Sequence, residues 1–277
     1  MARQRAGARS RRGSPLTVPT PSVAQVARYF DALYVALAAS ETHAAIGGEA
    51  LGDAYAGQLG YAGEHELLRL AEAAGMAPGR RVVDLGCGTG GVAAWWSRRT
   101  GAAVLGVDCS AAGLRIGAAG SRDAGAALAV ADANALPFAA SSLDGIVSLD
   151  GFGLDFAALA RQARRLLRGG GRLALLVSLP AGAAASALDD LAAAGLIEGF
   201  VEDQTEPATA LMSRWREAYD RAASRHIAEV GERVHRGLVV EIDGLIVGYR
   251  EGSKERALIV ATQPEGASEG ATPPQYT

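Results

Sequence analysis

The sequence predicts an α/β protein built on a doubly wound, mostly parallel sheet of seven strands. Three observations carry that expectation. Short runs rich in Val, Leu and Ile alternate with segments whose apolar residues recur every three or four positions, and parallel strands need such crossovers. The first run, Val82-Val83-Asp84-Leu85, breaks into Gly86-Cys87-Gly88-Thr89-Gly90-Gly91, where glycines let the backbone turn tightly ahead of a helix. The next two runs each close on an aspartate, Asp108 and Asp132. Ligands of such sheets bind outside the carboxyl ends of the strands, so a site is expected at these turns.

Residues 1–21 are rich in Arg, Gly, Ser and Pro and read as a disordered basic tail. Ser10-Arg11-Arg12 superficially suggests a twin-arginine signal, but Gly13 to Pro21 supplies no apolar stretch after it. A helical lid is expected over 22–78. Ser22 suits an N-cap for a helix carrying Val23, Val26, Phe30, Leu33, Tyr34 and Leu37. A loop with Gly47, Gly48 and Gly52 follows, then Gln58-Leu59-Gly60-Tyr61 and a second helix from about Gly63 to Gly75.

An α/β domain is expected over 79–262. Strands are predicted at 81–85, 103–107, 126–130, 143–149, 172–178, 196–201 and 256–261, with helices over 91–99, 110–120, 186–194 and from Phe156 to the glycines at Gly169-Gly170-Gly171. Before the last strand the periodicity changes. Met212, Trp215, Ala218, Tyr219, Ala222 and Ile227, then Leu238, Ile242, Leu245, Ile246 and Tyr249, describe two long helices, an insertion over about 204–252 that exceeds what a sheet connection requires. Residues 263–277 read as a second disordered tail.

With 277 residues, 49% of them hydrophobic, the chain can fill one large domain. Its formal charge of -3 and 5% aromatic content give no footprint for nucleic acid. No run approaches the roughly 18 apolar residues of a membrane span. Cys87 and Cys109 fall in the turns after the first two strands and read as free thiols of a cytoplasmic protein, and no His or Cys pair shows metal-ligand spacing.

Gly86, Gly88 and Gly91 formally fit the dinucleotide pattern G-x-G-x-x-G, and Asp108 about twenty positions on suits a ribose diol for any nucleoside ligand. Two features favour another ligand. A carboxylate at Asp84 would repel a pyrophosphate and attract an amino group or a sulfonium. Asp132-Ala133-Asn134 with Leu136-Pro137-Phe138 offers an adenine an acceptor and an apolar wall. Together they point to S-adenosylmethionine.

Val83-Asp84-Leu85-Gly86-Cys87-Gly88-Thr89-Gly90, Gly106-Val107-Asp108, Ala131-Asp132-Ala133 with Leu136-Pro137-Phe138, and Leu166 to Leu173 resemble, in order and spacing, the motifs of class I S-adenosylmethionine-dependent methyltransferases of the small-molecule branch. The resemblance covers about residues 55–180, with Gly169 where the family usually has Pro. It implies a Rossmann-like methyltransferase fold in which Gly86, Cys87, Gly88 and Gly90 line the methionine portion and Asp84 helps hold its amino group. Asp108 would take the ribose hydroxyls, Asp132 and Ala133 the adenine, with Cys109 against its face and Leu149 beside the cofactor. Gln58 and Tyr61 lie in a stretch similar to the family's entry over the cofactor, where packing is an equal account.

For the chemistry, Asp150 past the fourth strand is either a general base or a turn-forming residue before Gly151. His226 and His235 are expected in solvent, and Tyr29, Phe30, Tyr34, Trp215 and Tyr219 are lid candidates. The expected activity is methyl transfer to an O, N or C nucleophile of a small organic molecule in secondary metabolism, by a monomer or homodimer. The alternative is a methyltransferase-fold protein that binds S-adenosylmethionine without transferring its methyl, in a cyclase-like or electrostatic role.

Overall fold

The computed structural model describes residues 21–151 and 155–266. The tail expected over 1–21 lies outside the described residues except for Pro21, while the one expected from 263 starts too early, because Gln263 is buried and bonded to Gly171 and Arg164. In chain order come α1 (Val23–Ala38), α2 (Glu41–Leu51), a 3-10 turn (Gly52–Ala54), α3 (Glu64–Ala73), β1 (Arg81–Leu85), α4 (Gly91–Thr100), β2 (Ala103–Asp108), α5 (Ala111–Asp123), β3 (Ala127–Val130) and β4 (Leu143–Leu149). The second half holds α6 (Phe156–Leu166), β5 (Leu167–Pro180), α7 (Ala183–Ala193), β6 (Ile197–Asp203), α8 (Thr205–Val230), α9 (Glu232–Arg250) and β7 (Lys254–Thr262). The seven strands form one sheet in the order β3-β2-β1-β4-β5-β7-β6. Neighbours from β3 to β5 run parallel, and β7 lies antiparallel between β5 and β6.

Alternation along each strand divides the core. Val82, Val104, Val147 and Leu176 face α3, α4, α8 and α9, whereas Val83, Val107, Ile146 and Leu175 face α6 and α7. Buried Trp96 donates its indole N–H to the Leu67 carbonyl at 2.9 Å, locking α4 to α3. Parallel registry pairs Leu85 with Val107 and Asp108 with Val130, so the turns after β1, β2 and β3 emerge at one sheet end.

Three local expectations are corrected. Residues 41–51 form α2 rather than a loop: Ser40 caps it by accepting the His43 N–H at 2.9 Å, and Gly47 is needed because the Tyr55 ring occupies the place of a side chain there. Tertiary contact overrides glycine's low helix propensity. The helix expected to reach Gly169 stops at Leu166, and β5 starts at once, with Gly170 N–H bonded to the Gln263 carbonyl beyond β7. His226, expected in solvent, is fully buried between α2, α8 and α9.

Candidate active site

The turn after β1 is a backbone device. Gly86, Gly88 and Gly90 all have positive φ, and Gly91 lies so close to the Ala56 carbonyl that no side chain fits. Its amides are bonded within the protein rather than bare: Gly86 and Cys87 donate to the Val107 carbonyl (2.8 and 3.1 Å), Gly90 to the Cys87 carbonyl (2.8 Å), and Gly88 to the Asp108 carboxylate (2.8 Å). The turn therefore supplies shape and close approach, and those four N–H groups are not free to cradle a phosphate.

Two carboxylates sit against it. Asp108 accepts the Gly88 N–H on one oxygen and the Ser110 N–H, at 2.7 Å, on the other. Burial pushes its pKa up, and these two amides oppose the shift. Asp84 is buried, and burial together with the Asp108 charge pushes it up to about 7. Cys87 and Cys109 are free, and burial raises both, Cys109 to about 11. They stand as thiols at neutral pH, apolar walls rather than nucleophiles.

These groups line one end of a cavity of about 1290 Å³. Gln58, Tyr61, Gly86, Cys87, Gly88, Asp108, Cys109, Asp132, Ala133, Leu149 and Asp150 all contribute to its wall; Gly90 packs behind it against Leu128, and Asp84 lies below the turn. Asp132 accepts the Asn134 N–H at 2.8 Å, turning the chain after β3 so that Ala133 and Asn134 face the cavity. Gln58 accepts the Ala56 N–H at 2.6 Å and donates to the Ala54 carbonyl at 3.0 Å, which shapes the loop that roofs the turn.

Asp150 is not placed as a free base. It has positive φ, and its carboxylate forms a two-pronged pair with Arg256 at 2.5 and 3.0 Å while also accepting the Tyr61 N–H at 3.0 Å. Arg256 is fully buried and further donates to the Tyr61 carbonyl and the Ser178 hydroxyl, both at 2.9 Å. Burial alone would lower the Arg256 pKa, and the Asp150 charge outweighs it.

The lid candidates divide. Tyr29, Phe30 and Tyr34 of α1 line the cavity, and Tyr34 is buried with its hydroxyl against Gly88 and its ring edge against Gly113. Trp215 and Tyr219 are instead core. They stack on each other at 5.9 Å, and the Tyr219 hydroxyl pairs with His43 Nδ1 at 3.2 Å. His226 and His235 share a contact at 3.0 Å between their Nδ1 atoms, and burial lowers His43 and His226 to about 4.

Two structural residues carry no visible signal in the sequence. Asp31 accepts the Ser110 hydroxyl and the Ala112 N–H (2.7 and 2.8 Å), tying α1 to the start of α5, and Arg256 follows Lys254 and Glu255 at the charged start of β7. Glu241, also on the cavity wall, does leave a signal, because it interrupts the inward apolar stripe of α9.

Residues 82–171 match a protein family described as a methyltransferase domain. Over 148 residues the chain is 36% identical to Methyltransferase GfsG of Streptomyces halstedii, which covers 51% of each protein. It thus spans about half the length of the curated relative it matches. Among solved structures, the [4+2]-cyclase SpnF superposes with a TM-score of 0.70 at 20% identity, covering 90% of this chain and 99% of that one. A phosphoethanolamine N-methyltransferase 2 of Haemonchus contortus, in complex with phosphomonomethylethanolamine and S-adenosylhomocysteine, gives a TM-score of 0.70 at 19% identity, covering 91% of this chain and 62% of that one. At these identities the structural likeness is one of fold. Residues 82–171 thus resemble a methyltransferase domain, and the chain has the Rossmann-like fold that these methyltransferase structures share.

Proposed function

We propose that this chain binds S-adenosylmethionine over the glycine turn and is a methyltransferase acting on an O, N or C nucleophile of a small organic molecule in secondary metabolism. The observation that carries this reading is the charge of the turn. Four of its amides are bonded internally and two buried carboxylates stand beside it, while the one cationic side chain on the cavity wall among the described residues, Lys254, packs on Gly248 of α9. Such a site disfavours a pyrophosphate and favours a nucleoside that carries a cation. The likeness to GfsG over the matched half supports transfer as the activity.

The residues fit the cofactor in kind. The Asp108 carboxylate accepts two amides and the Cys109 thiol, which leaves one of its four lone pairs for a ribose hydroxyl. Asp84 is poised near neutrality, so a cation beside it would favour its ionised form. Ala133 and Leu149 give an adenine apolar contacts, and Cys109 faces the same space. When bound, S-adenosylmethionine supplies an electrophilic methyl group on a sulfonium sulfur. The chain's own part is to orient an acceptor and exclude water, which α1 and the loop carrying Gln58 and Tyr61 are placed to do. Asp150, held by Arg256 and Tyr61, suits an anchor of that loop better than a base.

We further place the protein in the cytoplasm as a monomer or homodimer without a nucleic-acid partner; no helix among the described residues is long and apolar enough to cross a membrane. Calorimetry should show S-adenosylmethionine binding that NAD does not compete for, weakened about tenfold or more by Asp108→Ala. Unchanged affinity in that variant would overturn the ribose assignment. Release of S-adenosylhomocysteine that depends on an added acceptor would separate transfer from cyclase-like binding.

A further inference from the structure

Beyond the glycine turn the cavity runs on into a second arm, walled by Val177 and Leu179 of β5 and by Leu238 and Leu245 of α9. The full cavity, about 1290 Å³, exceeds the roughly 300–1,000 Å³ usual for one small ligand, so a second molecule fits beside a nucleoside.

Glu241 is out of pattern in this arm. It follows Leu238 by three residues and precedes Leu245 by four, which puts it at the edge of the buried stripe of α9, exposed to the cavity. Among the described residues no hydrogen bond or ion pair holds its carboxylate, whereas Asp150 is already paired with Arg256. Lys254 drapes its stem over Gly248 and acts on Glu241 only from beyond ion-pair distance.

The space beside it is open. Gly244 lies one turn further along α9 on the cavity wall, and a side-chain carbon added there would meet nothing within 4 Å.

We infer that Glu241 receives the methyl acceptor, and that the acceptor is an apolar molecule presenting a hydrogen-bond donor, a protonated amine or a hydroxyl, to this arm. The inference rests on the methyltransferase reading above. A carboxylate that no hydrogen bond or ion pair holds, set among mainly apolar walls with Lys254 beyond ion-pair distance, favours a donor over an anion beside it. Burial and the Asp150 charge push the Glu241 carboxyl upward and Lys254 opposes them, so the test belongs at pH 8, where the carboxylate form is favoured.

The experiment titrates the full-length protein, loaded with S-adenosylhomocysteine, with n-octylammonium and n-octanoate by calorimetry. The two probes share a chain length, so apolar burial cancels between them. Wild-type protein should bind octylammonium about tenfold more tightly or better, and Glu241→Gln should bring the ratio near one with S-adenosylhomocysteine affinity unchanged. Gly244→Leu, which fills the space without removing the charge, should abolish binding of both probes. Equal binding of the two probes, binding of neither, or a preference that survives in Glu241→Gln would overturn the inference. If the wild-type protein does not bind S-adenosylhomocysteine, the methyltransferase reading itself fails, before any probe is added.

Discussion

Asp150→Asn distinguishes a proton acceptor from a structural anchor. The substitution keeps the side chain's shape, and Asn tolerates the positive φ at this position, so no backbone strain is introduced. What is lost is the charge opposite Arg256, which is fully buried and has two of its four hydrogen bonds to Asp150. Removing one partner of a buried pair costs about 3–5 kcal/mol, because the other charge stays behind uncompensated. Asp150 keeps 19% of its side-chain surface, so some water relaxes the penalty and the lower end, about 3 kcal/mol, is expected. For a chain of this size that corresponds to a fall in Tm of roughly 6–12 °C. Pairing the change with Arg256→Met should recover much of the loss, since an apolar side chain leaves no stranded charge. Thermal unfolding of wild type, both single variants and the double variant gives the coupling directly. A base would behave differently: Asp150→Asn would then keep the wild-type Tm and lose turnover alone, and that result would refute the anchor.

Other consequences can be checked separately. Asp84 stands near pH 7 and its ionised form favours a cation, so affinity for S-adenosylmethionine should rise between pH 6 and pH 8 and lose this dependence in Asp84→Asn; a flat wild-type profile by calorimetry would contradict it. Gly91→Ala drives a methyl group into the Ala56 carbonyl, so about 1–3 kcal/mol of stability should go, read by denaturant titration; an unchanged midpoint would mean that the roofing loop shifts freely. His43 and His226 titrate near 4 in the folded state against an ordinary 6.5, so their neutral forms contribute stability that is fully present above pH 6.5 and lost as pH falls through 4. For His43 alone the shift corresponds to about 3 kcal/mol, and Tm measured from pH 7 to pH 4 should fall less steeply in His43→Phe.

The sheet was legible in the sequence because its signals are local. Val82 to Leu85, Ala103 to Asp108 and Leu143 to Leu149 each state their own strand, and the glycines after Leu85 announce a turn that only they can make. The late insertion was legible through its helical period. What escaped depends on partners distant in sequence. Nothing in the residues beside Gly47 says that the Tyr55 ring will take the place of its side chain, and His226 is buried because His43 of α2 and His235 of α9 meet it from other helices. Arg256 resembles any charged residue near a strand's start until the fold puts Asp150 against it, 106 residues away in sequence.

The carboxylates of the cavity make the same point about function. In sequence Asp84, Asp108, Asp132 and Asp150 are alike, each at or near the end of a strand that faces one site. Their partners then separate them. Asp108 is held by two amides and the Cys109 thiol and keeps one lone pair for a hydroxyl; Asp132 bonds its own turn and shapes a wall; Asp150 is neutralised by a buried guanidinium; Asp84 lies beside another carboxylate, near neutrality. Position at a strand end therefore marks where a site lies, and the hydrogen-bond partner decides which chemistry each residue is left free to do. By that criterion the cavity-wall carboxylate that, among the described residues, no hydrogen bond or ion pair holds is Glu241, on an inserted helix that no strand-end motif would have indicated.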